Sequence, residues 1–110
     1  MSGKHLIIDY HGCRQIPRME EMYNLLNSLV RAIDMTPLTA PYVMRGAPHD
    51  PGLTGAVIIE QSHITFHSFD LTRDISFDLY SCKDFDEVPV IKTLDDKFKP
   101  SERKVNVLIR

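Results

Sequence analysis

Three strand-like runs crowd together between residues 54 and 82: TGAVIIE (54–60), HITFHSF (63–69) and ISFDLYSC (75–82). They favour β-branched and aromatic residues, and the last alternates cleanly between apolar and polar positions, the period of a half-buried strand. The residues LTRD (71–74) form a turn that joins the last two runs into an antiparallel hairpin. A chain with this centre is built on an antiparallel sheet.

The flanking segments supply the helices and the outer strands. KHLIIDYH (4–11) is a strand closed by Gly12, and RMEEMYNLLNSLVRAID (18–34) is an amphipathic helix preceded by Pro17. Met19, Met22, Tyr23, Leu26, Leu29, Val30 and Ile33 recur at helical spacing as its core stripe, leaving Glu20, Glu21, Asn24, Asn27 and Arg31 to water. TPLTAPYVM (36–44) is a proline-interrupted candidate edge strand, and RGAPHDPG (45–52) is an exposed loop. A second helix covers about residues 87–98, with Val88, Ile91, Leu94 and Phe98 inward, and KVNVLI (104–109) is a closing strand. The expected order is β-α-β-β-β-α-β, an α+β fold with helices packed on one face of a mainly antiparallel sheet. At 110 residues this is one domain.

Composition narrows the function by exclusion. A formal net charge of -2 gives no electrostatic footprint for nucleic acid. No apolar run reaches the roughly 18–20 residues of a membrane span, and the N-terminal apolar stretch is too short and broken for a signal peptide, so the expected location is the cytoplasm. Two cysteines in such a chain, Cys13 and Cys82, are expected to be reduced. Neither has a second ligand at C-x-x-C or C-x-x-H spacing, and the four-residue interval of His63 and His67 suits a helix rather than a strand, so no metal is expected.

The stretch IIEQSHITFHSFD (58–70) stands out because it places Ser62, His63, His67 and Asp70 on an otherwise apolar strand. Alternation puts His63, Thr65, His67 and Phe69 on one side and Ser62, Ile64, Phe66 and Ser68 on the other. Ile64 and Phe66 mark the core side, so both histidines face solvent or a cleft. Ser62 has no G-x-S-x-G context, which argues against a serine hydrolase elbow.

In combination, GLTGAVIIEQSHITFHSF (52–69) and DISFDLYSC (74–82) resemble the bacterial and archaeal S-adenosylmethionine decarboxylase family. The family pattern is approximately G-V-S-G, a hydrophobic run, E-S-H-I-x-I-H-T-W-P-E, then a strand ending D-hydrophobic-F-T-C. The intervals from serine to second histidine and from serine to cysteine match without a gap. GKHLIIDYHGC (3–13) also resembles the family's opening strand.

The resemblance implies a self-processing lyase of polyamine biosynthesis that acts on a small amino-acid-type substrate without pyridoxal phosphate. Its zymogen is cut between Gln61 and Ser62, giving chains 1–61 and 62–110, and Ser62 becomes a covalent pyruvoyl group that forms a Schiff base with the substrate. By the same resemblance His67 is the processing base, Thr54 takes the place of the family's assisting serine hydroxyl, and Cys82 donates the proton after decarboxylation. A neutral histidine with a pKa near about 6.5 and a thiol near about 8.5 suit these tasks at neutral pH. Family members are dimers with sites near subunit interfaces, so a homo-oligomer is implied.

Several positions depart from the pattern. Gln61 replaces the glutamate before the scissile bond, Leu71 falls where an acid holds the ribose, and RGAPHDPG lacks the aromatic that stacks on adenine, Tyr42 being the nearest ring. Asp70, next to Leu71, is a candidate substrate-binding acid, with Asp74 and Asp50 as further candidates. S-adenosylmethionine is the favoured substrate, with arginine or ornithine as the alternative. An uncleaved pseudoenzyme acting as a binding or regulatory subunit is the remaining reading. An unbroken strand from 54 to 69 would separate Ser62 from His67 across its two faces, so a break at Gln61-Ser62 is expected.

Overall fold

A computed structural model describes residues 2–110. The chain runs β1 (Lys4–His11), α1 (Met19–Ala32), β2 (Tyr42–Arg45), β3 (Leu53–Ile59), β4 (Ser62–Phe69), β5 (Asp74–Ser81), α2 (Glu87–Phe98) and β6 (Glu102–Ile109). The strands form one six-stranded sheet in the order β2-β3-β4-β5-β1-β6, and every pairing is antiparallel. This is the α+β architecture that the strand pattern requires.

Two hairpins form the middle of the sheet. β4 and β5 pair across the turn 70–73, while Glu60 and Gln61 alone connect β3 to β4, with Ile59 opposite Ser62. β1 then inserts between β5 and β6, so the first strand of the chain is held on both sides by strands from its second half.

Both helices cover one face, where alternate strand residues are buried. Leu6, Ile8, Tyr10, Val57, Ile64, Phe66, Phe77 and Leu79 meet Met22, Leu26, Leu29, Leu94 and Phe98 in a single core. Phe66 anchors it, with ring centroids 4.8 Å from Phe77 and 5.8 Å from Phe98. α1 comes close to β3 because Gly55 has no side chain: a Cβ there would lie 2.6 Å from the Met22 sulfur. Glu21 and Lys97 link the helices at 3.2 Å, and Lys4 reaches from β1 to Glu87 in the first turn of α2 at 2.6 Å.

Three sequence expectations shift. The strand expected within 36–44 forms only from Tyr42, because Pro37 and Pro41 have no amide to give a ladder; it is nonetheless a strand, which makes four between the helices rather than three. In α1 the stripe lies over Met22, Leu25, Leu26, Leu29 and Val30, leaving Met19 and Tyr23 substantially exposed. In α2 Val90, Leu94 and Phe98 recur every fourth residue and point inward, whereas Val88 is 66% exposed.

The opposite face of the sheet carries no helix. Cross-strand pairing places Tyr42, Met44, Ile58, Phe69 and Leu108 on it, all of them exposed, around a polar centre that includes His5 and Asp78 bonded at 2.9 Å. No helix among the described residues is long and apolar enough to cross a membrane.

Candidate active site

The expected break is a turn. Gln61 adopts φ +54, in the left-handed region, at the second position of the two-residue connection between β3 and β4. Glycine or asparagine takes that conformation most readily, and a residue with a longer side chain is held there at a cost of order 1–2 kcal/mol. The peptide between Gln61 and Ser62 thus follows a residue held in a costly backbone conformation at the end of a tight hairpin.

Ser62 starts β4 and sits 6% exposed on the helix-covered face, as alternation with Ile64 and Phe66 requires. Its Oγ accepts the backbone N–H of Cys82 at 2.9 Å. Cys82 follows the last residue of β5 and is partly buried, and its Sγ lies 3.8 Å from the carbonyl oxygen of Glu60. The hairpin end therefore brings together the Ser62 hydroxyl, the Cys82 thiol and the Glu60 carbonyl, three groups that the sequence separates by up to twenty-two positions.

Thr54 and His67 form a second cluster. They stand opposite each other in the β3–β4 ladder on the helix-free face, with Thr54 Oγ1 and His67 Nδ1 2.9 Å apart. An imidazole held through Nδ1 against a hydroxyl has its ring direction fixed, while the hydroxyl can donate to or accept from that nitrogen, and Nε2 is left to exchange a proton elsewhere. His49, Asp50, Thr54 and His67 border a cavity of about 210 Å³.

The two clusters do not meet within one chain. Five residues of extended strand separate Ser62 from His67, roughly 16–17 Å at about 3.3 Å per residue, and the side chains point to opposite faces. Thr54 and Ile59 are separated by the same interval on β3.

The other sequence candidates are dispersed. Asp70 lies in the β4–β5 turn near the His67 end, lining one cavity with Arg45 and Arg73, and its amide donates to the Pro51 carbonyl at 2.9 Å. Asp74 pairs with His11 at 3.3 Å, Leu71 is 79% exposed, and Tyr42 stands exposed on β2. His63 lies beside Tyr80, ring centroids 5.7 Å apart. Cys13 is free and fully buried, and burial pushes its thiol up to about 11, which leaves it inert. Sequence reasoning overlooked Glu60, Asp34 and Lys83, which line the cavity next to Cys82 and Gln61. Only folding brings the end of α1 to that hairpin.

The residues at the hairpin end fit an internally generated carbonyl cofactor. A hydroxyl that accepts a backbone N–H, a preceding residue at φ +54 and a nearby thiol are features that would suit the building of such a group at Ser62.

The profile of the S-adenosylmethionine decarboxylase family matches residues 4–110. An S-adenosylmethionine decarboxylase proenzyme from Clostridium botulinum (strain Loch Maree / Type A3) is 35% identical over 108 residues, covering 94% of this chain and 90% of its own. One from Archaeoglobus fulgidus is 28% identical over 98% of this chain and 96% of its own. The crystal structure of the adenosylmethionine decarboxylase from Aquifex aeolicus VF5 superposes with a TM-score of 0.80 at 23% identity, over 96% of this chain and 88% of that one, and so shares the fold.

Proposed function

Because the chain belongs to the S-adenosylmethionine decarboxylase family, we propose that it is a proenzyme that cuts itself at Gln61-Ser62 and then decarboxylates S-adenosylmethionine for polyamine biosynthesis. The observation that carries this reading is the hairpin end itself. Ser62 follows a residue held at φ +54 and receives the amide of Cys82 on its hydroxyl.

Processing uses the chain's own atoms. The Ser62 Oγ attacks the Gln61 carbonyl carbon and displaces the amide nitrogen, giving an ester. A base removes the Ser62 α-proton, and the ester leaves as the C-terminal carboxylate of residues 1–61. Water converts the resulting dehydroalanine into a ketone at the new N-terminus of 62–110 and releases ammonia. The left-handed turn promotes the first step, since relief of its strain lowers the cost of leaving the planar amide.

The base is His67, which Thr54 orients, and it comes from a second copy of the chain. The intrachain separation of roughly 16–17 Å is too great for proton transfer, which needs about 2.6–3.2 Å or one bridging water. A dimer that packs two helix-free faces together brings the Thr54–His67 end of one protomer to the Ser62–Cys82 end of the other. The exposed Tyr42, Met44, Ile58, Phe69 and Leu108 give that face the apolar area such an interface needs. Asp70, at the His67 end, then belongs to the substrate site across the interface.

The pyruvoyl group supplies a carbonyl that takes up the substrate amine and draws off the electrons of the breaking bond to CO2. Cys82 delivers its thiol proton to the substrate carbon that has lost CO2. Its Sγ contact with the Glu60 carbonyl keeps it beside the cut. CO2 release from S-adenosylmethionine, arginine and ornithine by the purified protein tests the substrate. Release from the sulfonium substrate alone is expected, and preference for either of the others would overturn that assignment.

A further inference from the structure

Beside the Gln61-Ser62 bond a cavity of about 200 Å³ opens between the end of α1, the β3–β4 turn and the residues after β5. Its wall includes Asp34, Met35, Glu60, Gln61, Cys82 and Lys83. The carboxylates of Asp34 and Glu60 have no ion-pair or hydrogen-bond partner among the described residues, and both residues are exposed to solvent. Lys83 forms no ion pair with either carboxylate, its Nζ donating to the backbone carbonyl of Asp34 at 3.1 Å, and its single positive charge offsets only one of the two. The cavity wall beside the thiol is therefore net negative.

We propose that Asp34 and Glu60 favour the charged substrate over its neutral thioether counterpart by attracting the positive charge that it carries beyond its α-carbon, the sulfonium of S-adenosylmethionine. The proposal rests on the reading of Ser62 and Cys82 as the reacting centre. With the substrate amine joined at residue 62 and its α-carbon against Cys82, the aliphatic chain leads a few bonds away from the thiol, along the wall where Glu60 stands. A sulfonium has no N–H to donate, so only charge and contact can recognise it, and fixed carboxylates supply the charge without directional hydrogen bonds. The cavity is smaller than the roughly 300–1,000 Å³ of sites that enclose a whole small molecule, so it takes the charged aliphatic segment and leaves the nucleoside outside.

The test uses the cleaved protein and the variants Glu60→Gln, Asp34→Asn and their combination, each of which keeps side-chain shape. S-adenosylmethionine is the substrate, and its neutral thioether counterpart, S-adenosylhomocysteine, is the competitor. In the double variant KM should rise about tenfold, equivalent to about 1.4 kcal/mol, while kcat and the thioether's inhibition constant stay within about threefold. A KM that does not move, or a KM and a thioether constant that rise together, would overturn the proposal. Mass spectrometry of the same samples separates the causes: an uncut wild-type chain counts against the decarboxylase reading, whereas a cut chain with unchanged KM counts against Asp34 and Glu60 alone.

Discussion

The Thr54 hydroxyl meets Nδ1 of His67 at 2.9 Å across the β3–β4 ladder, at the far end of that ladder from Ser62. As the proposed processing base, His67 stands out of reach of the Gln61-Ser62 bond of its own chain. Complementation between two disabled chains tests this arrangement. His67→Ala and Ser62→Ala proteins purified separately should each remain uncut. When the two are co-expressed, the His67→Ala chain should be cut by the intact His67 of its partner. Failure to cut in the mixture, with mixed dimers shown to form, would place the base elsewhere.

Cys82 should separate maturation from turnover. Its thiol contacts the Glu60 carbonyl, but its amide, which any residue retains, makes the bond to Ser62. Cys82→Ala is expected to cut itself normally and then lose at least about a hundredfold in kcat, the scale on which positioned proton donors act. Unchanged kcat would remove the thiol from the reaction.

Cleavage should not release the fragments. Residues 1–61 hold β1, β2 and β3, and the β1 strand is clamped between β5 and β6 while β3 pairs with β4. The cut protein should therefore elute from a sizing column at the same volume as an uncut Ser62→Ala protein and come apart only in denaturant. Separation of the fragments in native buffer would contradict the interleaved sheet.

Glu21 sets a stability effect at low pH. Its carboxylate is held at about 2, mainly by the backbone and side chain of Arg18, then by Lys97. A carboxylate whose pKa falls on folding adds stability above its unfolded value, here near the ordinary 4.5, and loses it as pH drops toward 2. Because the group is about one-third exposed, solvent screening limits the contribution to about 1 kcal/mol or less. Thermal melts of Glu21→Gln should show a lower Tm than wild type at pH 7, with the gap closing toward pH 2. A gap of constant size across that range would rule out the ionic contribution.

Much of the sheet is legible in the sequence because alternation and turn residues are local signals. The runs at 63–69 and 75–82 predict their hairpin, and Ile64 and Phe66 identify the core face. The insertion of β1 between β5 and β6 is a long-range pairing that no local pattern encodes. Proline chemistry moved β2, since the run 36–44 contains two residues that cannot donate to a ladder. The resemblance named Ser62, His67, Cys82 and Thr54. Strand parity shows that Ser62 and His67 face apart, although they look continuous when written in a line. Asp34 and Lys83 are silent as letters because their proximity to Glu60 depends on where α1 ends.

The central claim is that the chain is a proenzyme cut at one bond, and denaturing mass spectrometry of the purified wild-type protein tests it most directly. Two fragments meeting between Gln61 and Ser62 are predicted, the second lacking a free amino terminus and gaining mass on reduction with borohydride in the presence of an amine. A single intact chain of 110 residues after prolonged incubation would contradict the account.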